Sequence, residues 1–369
     1  MPGIYLHIPF CRQKCSYCDF VSFPDKIGYA EAYMACLYKE LKMRGEELKD
    51  YTFDTVYFGG GTPSYIPPKL ILGAMNQIRK CFRLTKDAEV TLELNPGTIG
   101  EKKVEIYREA GINRYSIGLQ TAIDEQLEDL GRIHNARDYV YAAGLLRGEN
   151  FSTDVMLGLK NQTKEDVGKT IELAAACGSK HISMYALTVE DGTPIYTDYL
   201  NGELPDADEV ADLYDFGRAL LAEKGFERYE VSNFAKPGYE SRHNLNYWKR
   251  GEYIGVGLSA SSFMRGKRFT NTFDLDEYMK CILSGFYPVI DSEEVSEKDA
   301  RFEFVMLGLR TVYGVSAAEY KKAFGTDWKE DFSSAYQKTK NYLLEEGDVT
   351  RIKDEYLYVQ NAILSEYAE

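Results

Sequence analysis

Three cysteines fall within eight residues, Cys11, Cys15 and Cys18, in the spacing C-x3-C-x2-C. No other feature constrains the chain as much. Thiolates are soft donors suited to zinc, copper(I) or iron–sulfur clusters. A structural zinc site asks for four ligands, usually as two spaced pairs. No second pair exists, because Cys36, Cys81, Cys177 and Cys281 are single and scattered. A [4Fe–4S] cluster normally takes four cysteines. Three on one loop would leave one iron without a protein ligand, free to bind a small molecule. A zinc knuckle completed by a distant fourth ligand stays open at this point.

The surroundings place the motif. Gly3–Ile8 reads as a buried strand that Pro9 ends, so the cysteines occupy the loop after the first strand. Strand-like and helix-like runs then alternate. The expected helices are 29–47, 69–81, 102–110, 124–147, 164–177 and 208–224, and the expected later strands are 55–58, 89–94, 114–119, 152–157 and 181–187. Six strand–helix units imply a parallel sheet with helices outside. Curled, the sheet forms a partial (β/α)6 barrel whose chemistry sits on loops at the carboxyl ends of the strands.

Composition removes several alternatives. A chain of 369 residues accommodates one large α/β domain and a small one. A net charge of −14 gives no broad basic field for nucleic acid or anionic lipid. No apolar stretch approaches the ~20 residues that span a bilayer, and no signal peptide is expected ahead of the first strand. Seven unpaired-looking cysteines argue against a secreted disulfide scaffold. The expected location is cytoplasmic, in a reducing compartment.

Further motifs fall at strand ends. Gly59-Gly60-Gly61-Thr62 follows the second strand, where glycines let backbone approach a ligand closely, although a plain tight turn reads the same way. Glu93 ends the third strand and could accept bonds from hydroxyl or ammonium groups. Gln120 ends the fourth, and Arg132 follows in Leu130-Gly131-Arg132. Asp154 lies in the fifth strand; a buried carboxylate needs a partner, and Arg132 is the candidate.

The run from Tyr5 through Cys18, together with these motifs, resembles the radical S-adenosylmethionine (radical SAM) superfamily. Within it the chain resembles the oxygen-independent coproporphyrinogen III oxidase family, including its haem chaperone branch. The resemblance covers most of residues 3–265 and implies the radical SAM barrel. It implies that Cys11, Cys15 and Cys18 hold a [4Fe–4S] cluster. It places Tyr5, Tyr17, Gly60, Gly61, Thr62 and Glu93 around S-adenosylmethionine (SAM). Gln120, Arg132, Asp154 and, less closely, Ala186 match positions that contact a second SAM in the oxidase. The implied chemistry is reductive cleavage of the SAM C–S bond.

Three departures favour the chaperone branch. The oxidase has a fourth cysteine where this chain has Phe20, and a long arm where only ten residues precede Cys11. His243-Asn244-Leu245-Asn246-Tyr247-Trp248 matches a motif, H-N-x-x-Y-W, associated with haem in that branch. His243 is the expected axial ligand and Tyr247 its rival; taken bare, a lone histidine is more often structural. The implied function is haem binding and delivery to haem proteins, membrane respiratory enzymes among them, with a reductant serving the cluster. The alternatives are oxidative decarboxylation of coproporphyrinogen III and radical SAM chemistry on another substrate.

Residues 255–261 are expected to return to the SAM site. Residues 1–270 are read as the barrel, 271–298 as a connector and 299–369 as a small winged-helix-like domain. In the last, helices are expected over 300–311 and 329–346, and a hairpin over 347–352 and 355–359. The acidity of the chain argues against DNA, and covering the barrel or meeting a partner fits better.

Overall fold

The structure, a computed structural model, describes residues 1–368. The first half builds the core of one sheet: β1 (Gly3–Ile8), α1 (Ala30–Glu47), β2 (Thr52–Gly60), α2 (Pro68–Cys81), β3 (Arg83–Leu94), α3 (Glu101–Glu109), β4 (Arg114–Gln120), α4 (Asp124–Asp129), α5 (Ala136–Leu145), β5 (Phe151–Leu157), α6 (Lys164–Ala176) and β6 (His181–Ala186). Next come α7 (Tyr196–Leu200), α8 (Ala207–Glu223), β7 (Glu227–Arg228), β8 (Asn233–Ala235), α9 (Arg242–Trp248), β9 (Tyr253–Val256), β10 (Ser261–Met264), β11 (Lys267–Asn271), α10 (Leu275–Leu283) and β12 (Val289–Glu294). Strands β1 to β6 lie side by side and parallel, and β9 runs parallel to β1 on its other edge. The full order is β12-β11-β10-β9-β1-β2-β3-β4-β5-β6-β8-β7.

Alternation along each strand decides what faces where, because successive side chains point to opposite faces. Ile4, Leu6, Ile8, Val56, Phe58, Leu92, Ile117 and Leu119 join the helices in one apolar core with Tyr33, Leu37 and Leu41 of α1. Each such side chain contributes about 1.5–3 kcal/mol by leaving water. The intervening residues, Tyr5, His7, Tyr57, Thr91, Glu93, Ser116 and Asp154, form a second, largely polar face. Outer helices start where their caps are: Asn135, Thr163 and Asp206 each close a reciprocal capping box, worth about 1 kcal/mol apiece.

The barrel follows the sequence expectation, with local differences. Residues 124–147 are two helices, because Gly131 adopts φ +67° after α4 and turns the chain. That break carries Arg132. Residues 271–298 are no bare connector: they contain α10 and the sheet's edge strand β12. Glu40 explains why this stretch belongs to the barrel. Its fully buried carboxylate accepts bonds from Gly257 N at 2.9 Å, Asn271 Nδ2 at 3.0 Å and Tyr278 Oη at 2.8 Å. A buried carboxylate needs such partners, and they tie α1 to α10 and β11.

The C-terminal part has its own core around Val305, Tyr320, Trp328 and Tyr367. It comprises α11 (Glu297–Leu309), β13 (Val315–Ser316), α12 (Ala317–Phe324), α13 (Trp328–Asp331), α14 (Ser333–Thr339), β14 (Leu343–Glu346), β15 (Val349–Ile352) and α15 (Gln360–Ser365). Helices beside a three-stranded sheet, ordered β13-β15-β14, make the expected winged-helix-like arrangement. The expected hairpin shifts by one strand. Gly347 at φ +62° turns β14 into β15, so 343–346 leaves the predicted helix and 354–359 is a 3-10 turn. No helix among the described residues is long and apolar enough to cross a membrane.

Candidate cofactor cavity

The cysteine loop is pinned by two backbone bonds and one from a side chain. Ser16 N donates to Leu130 O at 3.0 Å, Ile195 N donates to Ser16 O at 3.1 Å, and Gln13 Nε2 donates to Gly131 O at 3.0 Å. These bonds hold Cys11, Cys15 and Cys18 over a cavity of about 400 Å³ on the polar face of the sheet. All three thiols are free. Burial pushes the Cys11 and Cys18 thiols up. Cys36, Cys81, Cys177 and Cys281 do not line this cavity.

The remaining walls come from the carboxyl ends of the strands. Gly60, Gly61, Thr62, Glu93, Gln120, Arg132, Asp154 and Tyr17 all border the cavity. Gly60 sits at φ +111°, where a Cβ would come within 2.8 Å of the His7 ring. A Cβ on Gly61 would lie 3.0 Å from Cys11 Sγ. Both positions therefore need glycine, one for its backbone and its space, the other for its closeness to a thiol. Glu93 accepts from Tyr57 Oη at 2.8 Å, and burial raises its carboxyl to about 7. Burial likewise raises Asp154 to about 6. Gln120 is held at φ +72° and accepts from Tyr185 Oη at 3.1 Å.

Arg132 is not the salt-bridge partner expected for Asp154. Its Nη2 donates to Gly118 O at 2.8 Å, and its Nη1 faces Cys15 Sγ at 3.5 Å and Tyr17 Oη at 3.4 Å. Asp154 instead accepts from Ser116 Oγ at 3.2 Å. The chain turn at Gly131 sets the guanidinium against the cysteine loop and β4. Arg132 Nε makes no hydrogen bond although buried.

Two expected site residues lie elsewhere. Tyr5 borders a second chamber, described below, and bonds His7 Nδ1 at 3.2 Å. His7 Nε2 meets Val21 O at 2.9 Å; a carbonyl only accepts, so Nε2 carries the proton and Nδ1 accepts from Tyr5. Burial lowers His7 to about 4. His243 is fully enclosed, with Nδ1 bonded to Thr55 Oγ1 at 2.7 Å and Nε2 to Tyr247 Oη at 2.8 Å. Its ring stacks on Tyr57 at 5.1 Å, and burial, helped by the Arg114 charge, lowers it to about 3. Both nitrogens are committed, so His243 does not present a free ligand as the sequence reading expected. The reason lies at the amino ends of the strands. Glu89 of β3 accepts from the Arg242 and His243 amides at 3.2 and 3.1 Å, docking the start of α9 against the sheet. Residues 255–261 also depart from expectation: Ser259 and Ser261 face the second chamber and none of the stretch lines the first cavity.

Sequence reasoning missed Tyr57, Arg114, Ser116, Ser152, Ser183 and Tyr185, which complete the walls. For four of them the signal was present: Tyr57, Ser116, Ser183 and Tyr185 each stand between apolar neighbours in a strand, whereas Arg114 follows Asn113 and Ser152 precedes Thr153.

The second chamber, of about 550 Å³, lies beside β1 and β9–β11 and is bordered by Tyr247, Tyr253, Phe263 and Phe273 with Arg250, Arg268 and Glu303. Rings separate it from the first cavity: Tyr5, Tyr57, His243, Tyr247 and Tyr253 follow at centroid spacings of 6.2, 5.1, 4.9 and 4.6 Å. Phe20 borders both.

Three free thiols on one loop fit a [4Fe–4S] cluster. Among the described residues no three His, Cys, Asp or Glu side chains converge on a point that would hold a single metal ion. A zinc centre requires that convergence; a cluster that takes one thiolate at each of three irons does not.

Comparison with known proteins agrees. The sequence model of the Radical SAM superfamily matches residues 5–174, and that of the HemN C-terminal domain matches residues 295–349. A solved structure of Escherichia coli coproporphyrinogen III oxidase (HemN), described as a radical SAM enzyme, superposes with a TM-score of 0.87 over 99% of this chain and 90% of that one; at 18% identity it shows the fold alone. Fold and sequence together define a radical SAM protein. Among its relatives are proteins named "Heme chaperone HemW". The one from Haemophilus influenzae is 34% identical, with 98% of this chain and 96% of that protein covered. The Bacillus subtilis protein is 33% identical over 88% and 87%, and that of Escherichia coli 36% identical over 86% and 85%. This chain belongs to the HemW family.

Proposed function

We propose that this protein is a haem chaperone that carries a [4Fe–4S] cluster and SAM in the polar cavity and delivers haem to acceptor proteins. The observation that carries this reading is the kinship across nearly the whole chain with proteins named as heme chaperones. Phe20 supports it, since it stands where the oxidase pattern has its fourth cysteine, and it is 69% exposed at the rim shared by both cavities.

Cys11, Cys15 and Cys18 would each ligate one iron. A cluster held there would supply, once reduced, the electron for SAM cleavage. Gly60 and Gly61 keep side chains out of the space beside the cysteine loop, and Thr62 holds Cys11 Sγ at 3.4 Å. Glu93, steadied by Tyr57, is placed to accept from an ammonium or a ribose hydroxyl. Arg132 offsets negative charge at Cys15 and orients its loop through Gly118. Gln120 and Asp154 extend polar contacts deeper into the cavity, and Tyr17 closes its wall.

For haem, His243 acts as a positioning residue. It holds the Tyr247 hydroxyl, and Tyr247 borders the aromatic chamber. Tyrosine is an established haem-iron ligand type, and Tyr247, unlike His243, borders the chamber, so it becomes the first candidate, ligating on release of its hydroxyl from His243. The barrel unit would end with β12 and the second unit begin at α11. Working in the cytoplasm, the protein would take electrons from a reductant and pass haem onward, membrane respiratory enzymes being among the acceptors.

Oxygen-independent coproporphyrinogen III oxidase is the second reading, favoured by the shared fold. The deciding experiment is anaerobic cluster reconstitution followed by parallel assays. Haemin binding without conversion of coproporphyrinogen III by the reduced, SAM-loaded protein supports the chaperone. Formation of protoporphyrinogen would overturn it.

A further inference from the structure

We propose that Glu303 occupies, from within the protein, the place of a ligand carboxylate in the aromatic chamber, and that the ligand there is a flat tetrapyrrole whose two carboxylates displace it. The inference rests on the haem-binding reading above and assigns that reading its anion site. Three observations meet here. First, two arginines from different elements converge on one carboxylate. Arg250 Nε donates to Glu303 Oε2 at 2.7 Å and Arg268 Nη2 to Glu303 Oε1 at 2.8 Å. The Glu303 side chain is only 14% exposed. Second, both guanidiniums lie against the Phe263 ring, at 4.7 and 5.7 Å from its centroid, which sets them beside an apolar surface. Third, the chamber of about 550 Å³ is walled by rings and sits within the range that holds cofactor-sized ligands, about 300–1,000 Å³.

A planar apolar ring with acids on one edge matches that pattern: rings for its face, a pair of planar cations for its edge. Arginine binds carboxylates through parallel N–H bonds, so an incoming carboxylate can replace another on the same fork. Glu303 stands on α11, outside the barrel sheet, whereas Arg250 follows α9 and Arg268 lies in β11. Displacement therefore removes two ties between the C-terminal unit and the barrel. Arg268 keeps Glu293 at 3.0 Å as a second partner, so the arginine is not stranded before the ligand arrives. Asp19 at the rim is the other acid facing the chamber.

The test uses three probes on the full chain: haemin, metal-free protoporphyrin IX, and protoporphyrin IX dimethyl ester, which lacks free carboxylates. Glu303→Gln should tighten haemin and protoporphyrin IX roughly three- to tenfold, the range of a modest charge-pair effect, and leave the ester unchanged. Arg250→Gln with Arg268→Gln should weaken both acids roughly tenfold or more and again spare the ester. Arg250→Lys with Arg268→Lys keeps the charge and should recover only part of the loss. Ester binding by every variant doubles as the check that the chamber has folded. Haemin bound by the wild type but indifferent to all these changes would overturn the latch and leave the haem reading standing. Failure of the wild type to bind haemin at all would overturn the reading itself.

Discussion

The two cavities share one face of one sheet yet differ in kind. The cavity under β2–β6 is lined by thiols, serines, two raised carboxyls and two guanidiniums, of Arg114 and Arg132, that lack their full set of bonds. The chamber beside β1 and β9–β11 is lined by rings, and its two arginines are already paired with Glu303. Buried polar groups are costly unless satisfied. A cavity rich in them is stable only with water or a polar ligand, whereas an aromatic chamber accepts a flat apolar one. Between them stands the stack from Tyr5 to Tyr253, fixed by two neutral histidines.

The largest expected effect breaks the first side outright. Replacing Cys11, Cys15 and Cys18 with Ala should abolish iron and visible absorption after reconstitution, while Cys36, Cys81, Cys177 and Cys281 changed to Ser should retain both. Iron analysis decides it; a requirement for any of those four would contradict the three-thiol site.

His243→Ala tests the partition. It leaves Thr55 and Tyr247 without partners and opens space beneath Tyr57, costing about 2–4 kcal/mol of stability. Haemin affinity should fall and its spectrum shift, with iron retained. Tyr247→Phe should cost stability only about 1 kcal/mol yet alter the haemin spectrum comparably. A spectrum changed by His243→Ala but untouched by Tyr247→Phe would restore His243 as the ligand.

Glycine substitutions sharpen the picture further. Gly60→Val meets both a left-handed backbone and the His7 ring, costing about 1–3 kcal/mol from backbone strain alone, and should abolish SAM binding with iron retained. Gly61→Ala, pressed on Cys11 Sγ, should lower iron content instead. Equal effects on iron from both would mean the loop is simply a turn.

The smallest effect is a pH slope. Glu93 moves from 4.5 to about 7 and Asp154 from 3.8 to about 6 on folding. The folded state therefore holds these protons more tightly than the unfolded one. That stabilisation is full below the unfolded values and is lost as pH rises through the folded ones, by at most ~1.4 kcal/mol per pH unit for each group. Buried neutral His7 and His243, lowered to about 4 and about 3, slope the other way over the same range, so the carboxyl share is read as a difference: between pH 5 and pH 7.5 the denaturation midpoint of ligand-free Glu93→Gln should gain more, or lose less, than that of the wild type. Parallel pH profiles for the wild type and Glu93→Gln contradict the buried-carboxyl account.

The barrel was legible because period-two alternation and helix caps are local signals. The cysteine loop, Gly60, Gly61, Thr62, Glu93, Gln120, Arg132 and Asp154 come together because strand ends converge in any such sheet. His243 was misread because its environment is non-local: Thr55, Tyr57 and Glu89 lie more than 150 residues away in sequence. The Arg132–Asp154 pair failed for a similar reason, as the turn at Gly131 sets the arginine's height. The aromatic chamber had no local signature, since β1, α9, β10, β11 and α11 each supply only a few of its residues.

The most direct measurement is a haemin titration of the reconstituted protein with and without saturating SAM. Two separate sites predict one haemin per chain in both cases, with SAM still bound at the end. Stoichiometric release of SAM as haemin binds would place both ligands in one cavity and contradict the account.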